Sequence, residues 1–417
     1  MKRYPVLFFA AILMMTVSCG RQADRANTRI TEYLYGVEYD DYDFQSGTVF
    51  FDRFKPEPAG CSEARKGDFV GRNLDWFINN DASAVIRVNG NGTRFASIGV
   101  MGCCPQFDAE FARSGEYSKI YDILPLFTVD GVNEKGLYCG VNVMPTGETS
   151  MDSTRWDTGS WGLGAAFTNP DSGNTYCVTY LVRYLLDNAS SVTDARRIVE
   201  SVNWYEPLGF PKEGQSQAFH WLICDAQTSA VLEFVDNKPC FIESDVTDEP
   251  SFSTVMTNFT NKVMSESGLV QPTGAGYERW DILAAAYPGA EESFDGIQNL
   301  MKKVWYTHLY TDDPLSDNFF MTEIASSEHP APMLYRNVEF QQTDEWKDIC
   351  AGIKADFKNS DNWHSDETTL WYTTHTSVYS LSGRELRLML HEGYDNQKKT
   401  HVFSLADTHF AKPMMKE

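Results

Sequence analysis

A chain of 417 residues with 42% hydrophobic and 13% aromatic residues has enough apolar material for a globular core, which excludes a disordered polymer. Its formal net charge of -23 excludes a nucleic-acid binder, because phosphate contacts need clustered Lys and Arg and no basic stripe occurs. The acidic balance implies solubility.

The first element is a targeting segment, residues 1–19. Met1-Lys2-Arg3 is a positive n-region, and the apolar run from Tyr4 to Val17 is shorter than the ~20 residues of a membrane span. Thr16-Val17-Ser18-Cys19-Gly20 resembles a bacterial lipobox, with Thr16 where Leu is usual. On that reading the only membrane contact is a lipid anchor at Cys19. The alternative is an ordinary secretory signal. Both readings export the protein, to the bacterial cell envelope or the periplasm. Residues 20–60 read as a polar, irregular leader or pro-segment. They carry an acidic, tyrosine-rich run (Glu38-Tyr39-Asp40-Asp41-Tyr42-Asp43), and Pro56-Glu57-Pro58-Ala59-Gly60 breaks regular structure.

The texture changes at Cys61. Residues 61–76 read C-S-E-A-R-K-G-D-F-V-G-R-N-L-D-W. Cys61 opens a short strand, Arg65-Lys66-Gly67-Asp68 turns, and a second strand carries Arg72 and Asp75. Further strands are expected at 83–88, 94–100 and, after a 131–136 turn, 137–143. The spacing predicts an amphipathic helix over 176–186. Ser191-x-x-Asp194 opens a second helix through Val202. A hairpin follows (219–225 and 230–235, turn 226–229), then helices over 279–286 and 294–306. Strands 368–380 and 385–391, joined by 381–384, close the chain. Strands, helices and strands in this order predict an α+β layered fold, with residues 61–417 as one domain.

The thiol, guanidinium and carboxylate of Cys61, Arg72 and Asp75 converge in this hairpin. A cysteine freed as a new N-terminus carries its own base, the α-amine. The competing reading is a structural cysteine beside a surface ion pair worth ~0–1 kcal/mol. Of the nine cysteines, seven remain after Cys19 and Cys61, so no disulfide framework is expected. Cys139, Cys177 and Cys224 read as core residues. No C-x-x-C or H-x-x-x-H spacing occurs, so neither a metal nor another cofactor is expected. Gly162-Leu163-Gly164 and Asn89-Gly90-Asn91-Gly92 read as turns, since neither has the strand–helix context of a nucleotide loop.

The anchors Cys61, Gly71-Arg72-Asn73-Leu74-Asp75, Asp130 to Leu137 and Gly140-Val141-Asn142 resemble the choloylglycine hydrolase family. So do Ser190 to Thr193, His220-Trp221-x-x-x-Asp225, Thr257-Asn258 and Glu278-Arg279-Trp280, in the same order. That family holds bile salt hydrolases, penicillin V acylases and ceramidase-type amidases. The resemblance implies an N-terminal nucleophile (Ntn) hydrolase with a four-layer αββα sandwich. It implies Cys61 as nucleophile and Arg72 beside the thiol. Asp75 would bind the freed α-amine, Asn142 and Asn258 would form the oxyanion hole, and Arg279 would complete the polar network. It also implies autocatalytic cleavage of the Gly60–Cys61 bond, an N-acyl amide as small-molecule substrate, and a homo-oligomer. An acyltransferase on the same thioester, or a ligand-binding surface lipoprotein, are the other readings. The hairpin between Cys61 and Gly71 is shorter than usual, Ser62 stands where many members have Thr, and the pro-segment is long. His220 reads as structural. Phe107, Phe111, Trp161 and Phe167 read as an acyl pocket or as core.

Overall fold

A computed structural model describes residues 25–30, 34–42, 44, 60–77, 83–101, 124–144, 163–164, 167–205, 218–235, 237–261, 274–275, 277–305, 324–326, 329–330, 369–392, 397–407 and 410. The targeting segment with Cys19, and Cys103, Cys104, Phe107, Phe111 and Trp161, lie outside them.

The strands in chain order begin with β1 (Arg25–Arg29), β2 (Leu34–Tyr39), β3 (Gly60–Lys66), β4 (Phe69–Phe77), β5 (Ser83–Val88) and β6 (Ser97–Met101). Next come β7 (Asp130–Asn133), β8 (Tyr138–Met144), β9 (Leu163–Gly164) and β10 (Thr175–Cys177). Helices α1 (Leu181–Asn188) and α2 (Val192–Ser201) follow, then β11 (Asn203–Tyr205), β12 (Ala218–Cys224), β13 (Thr228–Val235) and β14 (Lys238–Asp245). The last third holds β15 (Val255–Met256), β16 (Asn258–Phe259), β17 (Gly274–Ala275), α3 (Tyr277–Ala286) and α4 (Phe294–Lys302). It closes with β18 (Ile324–Ser326), β19 (His329–Pro330), β20 (Thr369–Ser380), β21 (Glu385–Glu392) and β22 (Gln397–Ser404).

These strands build two principal sheets. The first runs β1-β2-β5-β6-β7-β8-β12-β13-β14, with β9 on β13. The second runs β15-β3-β4-β20, extended from β20 through β21 to β22 and through β18 to β19. Alternation along each strand sends every second side chain between the sheets. Val70, Val100, Val132, Leu222, Val231, Tyr379 and Leu388 fill that interior. On the outer face of the first sheet, Leu181, Leu185, Val192 and Val199 pack on Trp221 and Leu232. On the outer face of the second, Leu283, Ile297, Leu300 and Met301 pack on Ala64 and Val378. The layer order is helix, sheet, sheet, helix, as the resemblance implies.

Local sequence explains most element ends. Ser191 Oγ accepts from the Asp194 N–H at 3.1 Å, the cap read from S-x-x-D. The β20–β21 hairpin turn lies at its expected position, and the second strand of the β12–β13 hairpin begins at Thr228, two residues before the expected position. Four expectations need correction. The helix expected over 294–306 ends at Lys302, where the Lys303 N–H bonds back to the Leu300 and Met301 carbonyls. Gly131 to Asn133 belong to strand β7, and the turn is confined to the residues that follow. Arg94 to Ala96 are not strand: the Asn91 side chain accepts from the Thr93 and Arg94 N–H groups, an Asx turn that delays β6 to Ser97. Tyr176 and Cys177 are strand, paired in parallel with β11, and the α-helix starts only at Leu181.

The largest correction falls in residues 20–60. The segment is not wholly irregular: β1 pairs antiparallel with β2, and β2 pairs in parallel with β5 of the first sheet. Leu34 joins the core between the sheets, while Val37 and Tyr39 join Ala84, Ile86 and Val88 on the opposite face. A parallel strand buried on both faces needs no polar face, so its pattern is hard to read in sequence. Beyond β2, Tyr42 donates to the buried Asp187. Phe44 packs edge-on against Tyr176 and Tyr180.

Candidate active site

The β3–β4 hairpin positions the candidate residues. Lys66 pairs with Phe69 across Gly67 and Asp68, and Gly67 takes the left-handed φ of +56°. A side chain there would be strained and would run into Glu292, which accepts the Asp68 N–H at 2.8 Å. The register sets Cys61 opposite Leu74 and Glu63 opposite Arg72. Paired residues share a face, so Cys61, Glu63 and Arg72 point toward the first sheet. Ser62, Ala64 and Asn73 point toward α4, where the Asn73 side chain donates to the Met301 carbonyl at 2.9 Å.

Cys61 is gripped through three of its groups. Arg72 Nη2 donates to the Cys61 sulfur at 3.3 Å and to the Val141 carbonyl at 2.8 Å. The Cys61 N–H donates to Asn258 Oδ1 at 2.9 Å. Arg279 Nη1 donates to the Cys61 carbonyl at 2.8 Å and to Asp75 Oδ2 at 3.0 Å, and its Nη2 donates to Asn258 Oδ1 at 2.6 Å. Asp75 also accepts from Thr373 Oγ1 at 2.6 Å. Five of the six expected residues therefore meet around one main-chain unit. Asn142 sits one residue beyond Val141 and donates to the Thr257 carbonyl at 3.1 Å, beside Asn258. The Asn258 amide donates to the Val143 carbonyl at 2.5 Å, so a role in an oxyanion hole requires it to exchange that partner.

The segment around Asn258 is itself clamped. His220 Nε2 lies 2.7 Å from the Thr257 carbonyl, and Nδ1 lies 3.3 Å from Glu233 Oε1. Glu233 accepts from Thr260 Oγ1 at 3.0 Å and from the Asn261 N–H at 2.6 Å. Read as structural in the sequence, His220 braces the residue just before Asn258.

Sequence reasoning missed an acidic cluster behind the thiol. Glu63 and Asp130 are both fully buried. Arg72 Nη1 reaches Asp130 Oδ2 at 3.4 Å, and Asp130 also accepts from Ser377 Oγ at 2.9 Å and Tyr379 OH at 2.5 Å. Tyr138 OH donates to Glu63 Oε2 at 2.9 Å. The one available signal was strand alternation: Glu63, two residues from Cys61, had to share its face.

Burial dominates the electrostatics. It pushes the Cys61 thiol up to about 12, against the lowering pull of Arg72 and with a further upward push from Asp75 and Glu63. With the Gly60–Cys61 bond intact the sulfur is a thiol, although Arg72 acts in the expected direction. Burial likewise raises Glu63 to about 8, with Arg72 and Tyr138 opposing, and raises Asp130. Cys139, Cys177 and Cys224 are buried, in keeping with a core role. Phe167 packs at the edge of the helix-side core. Among the described residues, no group of three or more His, Cys, Asp or Glu is arranged to hold a metal ion, and no helix is long and apolar enough to cross a membrane.

Comparison with known proteins adds the family. A variant of the conjugated bile acid hydrolase from Clostridium perfringens aligns over 86% of this chain and 96% of its own, at 15% identity and a TM-score of 0.39. The penicillin V acylase from Agrobacterium tumefaciens aligns over 83% and 86%, at 13% identity and a TM-score of 0.43. No curated protein sequence matches. The family profile described as linear amide C-N hydrolases, choloylglycine hydrolase family, matches residues 61–268, beginning at Cys61 itself. Through that region the chain belongs to the choloylglycine hydrolase family of linear amide C–N hydrolases.

Proposed function

We propose that this hydrolase of linear amide C–N bonds works through Cys61 as an N-terminal nucleophile, after the Gly60–Cys61 bond is cut by the chain's own thiol. The observation that carries this reading is the simultaneous hold on Cys61: sulfur by Arg72, nitrogen by Asn258, carbonyl by Arg279. A structural cysteine needs no such grip on each of its reacting or flanking groups.

Cleavage turns the Cys61 amide nitrogen into an amine. An α-amine has a reference pKa of ~7.7–8.0, so it can take the thiol proton near neutral pH. The thiolate adds to the substrate carbonyl, and the oxyanion draws on donors of the Asn258 and Asn142 region. Collapse breaks the C–N bond, and the α-ammonium returns its proton to the leaving amine. Water then attacks the thioester, restoring the thiol and releasing the acid. Arg72 offsets charge on sulfur, and Asp75 and Arg279 fix the main chain of Cys61. An N-acyl conjugate with an apolar acyl group, such as a conjugated bile acid, an N-acyl amide or penicillin V, is the substrate class we propose. Export, with a lipid anchor at Cys19, is part of the same reading and rests on the first 19 residues.

Intact mass tests the core claim. Wild-type protein should yield a fragment starting at Cys61, whereas Cys61→Ala should stay uncut and lose hydrolysis by ~10⁴-fold or more. Turnover by a chain uncut at residue 60 would sink the reading. A panel of conjugated bile acids, N-acyl amino acids and penicillin V then assigns the substrate.

A further inference from the structure

The mechanism above makes no use of Glu63, yet this carboxyl group is built into the site. It is fully buried, two residues from Cys61 on the same strand face. Its Oε2 accepts from Tyr138, and its Oε1 lies 3.5 Å from Arg72 Nε. That is ion-pair range without hydrogen-bond geometry, and neither Oε1 nor Nε has a hydrogen-bond partner among the described residues. The space the carboxyl fills exists because residue 140 is glycine: a Cβ there would lie 2.5 Å from Glu63 Oε2. Arg72 is thus shared three ways, with the thiol on Nη2, Asp130 on Nη1 and Glu63 beside Nε.

A guanidinium carries one positive charge. Two buried carboxyl groups and a thiol beside it cannot all be ionised at low cost. We propose that Glu63 is a positioning residue for the Cys61 thiol: it holds the Nε edge of Arg72, competes with the thiolate for that charge, and so sets the pH at which Cys61 ionises. The inference rests on the reading of Cys61 as nucleophile. The titratable and charged groups facing Glu63 are Cys61 and Arg65 on its own strand, Arg72 from β4, Asp130 from β7, Tyr138 from β8 and Cys224 from β12. Burial raises the Glu63 carboxyl to about 8, so near neutral pH it exchanges between charged and neutral forms. Each proton it gains frees Arg72 for the sulfur.

The test measures ionisation of the Cys61 thiol in processed protein, as the pH midpoint of iodoacetamide capture on the Cys61 peptide, beside the acid limb of kcat/KM. Glu63→Gln keeps the shape and removes the competing charge, so the capture midpoint should fall by about one pH unit. Glu63→Asp keeps a carboxylate and should restore most of the wild-type midpoint. A purely structural role would lower the melting temperature and leave the midpoint in place. A folded, processed Glu63→Gln protein with an unchanged or raised midpoint overturns the proposal. Should that variant fail to fold, Tyr138→Phe decides. Losing the hydroxyl that favours the ionised carboxylate should move the midpoint down by a smaller amount, and no movement overturns the proposal. Thiol capture is read whether or not amide is turned over. A shifted midpoint together with hydrolysis that survives Cys61→Ala would therefore refute the nucleophile and leave the Glu63–Arg72 coupling standing.

Discussion

β2 precedes the Gly60–Cys61 bond and β3 begins with it, and the two strands are held by opposite means. β2 lies in the first sheet, where Leu34, Val37 and Tyr39 are fully buried in apolar surroundings and a parallel ladder ties it to β5. β3 lies in the second sheet and turns Cys61, Glu63 and Arg65 onto a polar interior, with Arg65 bonding the Asp225 and Thr228 carbonyls. One strand is held by packing, the other by buried charge. Neither set of contacts passes through the Gly60–Cys61 bond. Cutting that bond would leave both strands in place and make residues up to 60 a small, noncovalently bound chain.

The severest break of this comparison is to start the chain at Cys61. Burying a large apolar side chain is worth ~1.5–3 kcal/mol, and losing several approaches a net stability of ~5–15 kcal/mol. Such a chain should give no folded monomer by circular dichroism and size exclusion. Processed wild-type protein should show two masses when denatured and a single native peak. A folded, active fragment without residues 25–44 would show that β2 is dispensable. Next is Leu34→Ala, expected to cost about 2–5 kcal/mol in urea unfolding, by the same amount at pH 6 and pH 8.5. On the polar side, Asn258→Ala removes the hold on the Cys61 nitrogen and, on the proposed mechanism, an oxyanion donor; it should lower kcat by ~10²–10³-fold and cost about 1–3 kcal/mol in urea unfolding. The smallest effect is pH-dependent. The folded Glu63 carboxyl is raised from 4.5 to about 8, so the folded state binds a proton that the unfolded chain releases. Its contribution is full below about pH 4.5 and is lost as pH rises through 8. The melting temperature should fall across that window, and Glu63→Gln should flatten the slope. An equal slope in the variant would remove Glu63 as its source.

Local chemistry was legible where it is self-contained. The Ser191–Asp194 cap, the β20–β21 hairpin, and the Cys61–Arg72 approach across a tight turn each depend on residues close in sequence. β2 was not legible, because its both-sided burial sits beside the acidic run from Glu38 to Asp43, which reads as solvated. The polar cluster was not legible either: Glu63, Asp130, Tyr138 and Tyr379 come from four strands, and nothing local marks them as neighbours. His220 shows the same limit, since it reaches from β12 to the carbonyl of Thr257, 37 residues on and between two short strands.

By itself the sequence determined the hairpin that sets Arg72 beside Cys61, the strand–helix–strand order, and the family-like anchors through Arg279, because hydrogen-bond register and periodicity are local. Only the tertiary structure decided that residues before Cys61 supply a core strand, and that two buried carboxyl groups share the guanidinium beside the Cys61 sulfur. Those outcomes depend on desolvation and on which sheets face each other, and both arise only when distant strands pack.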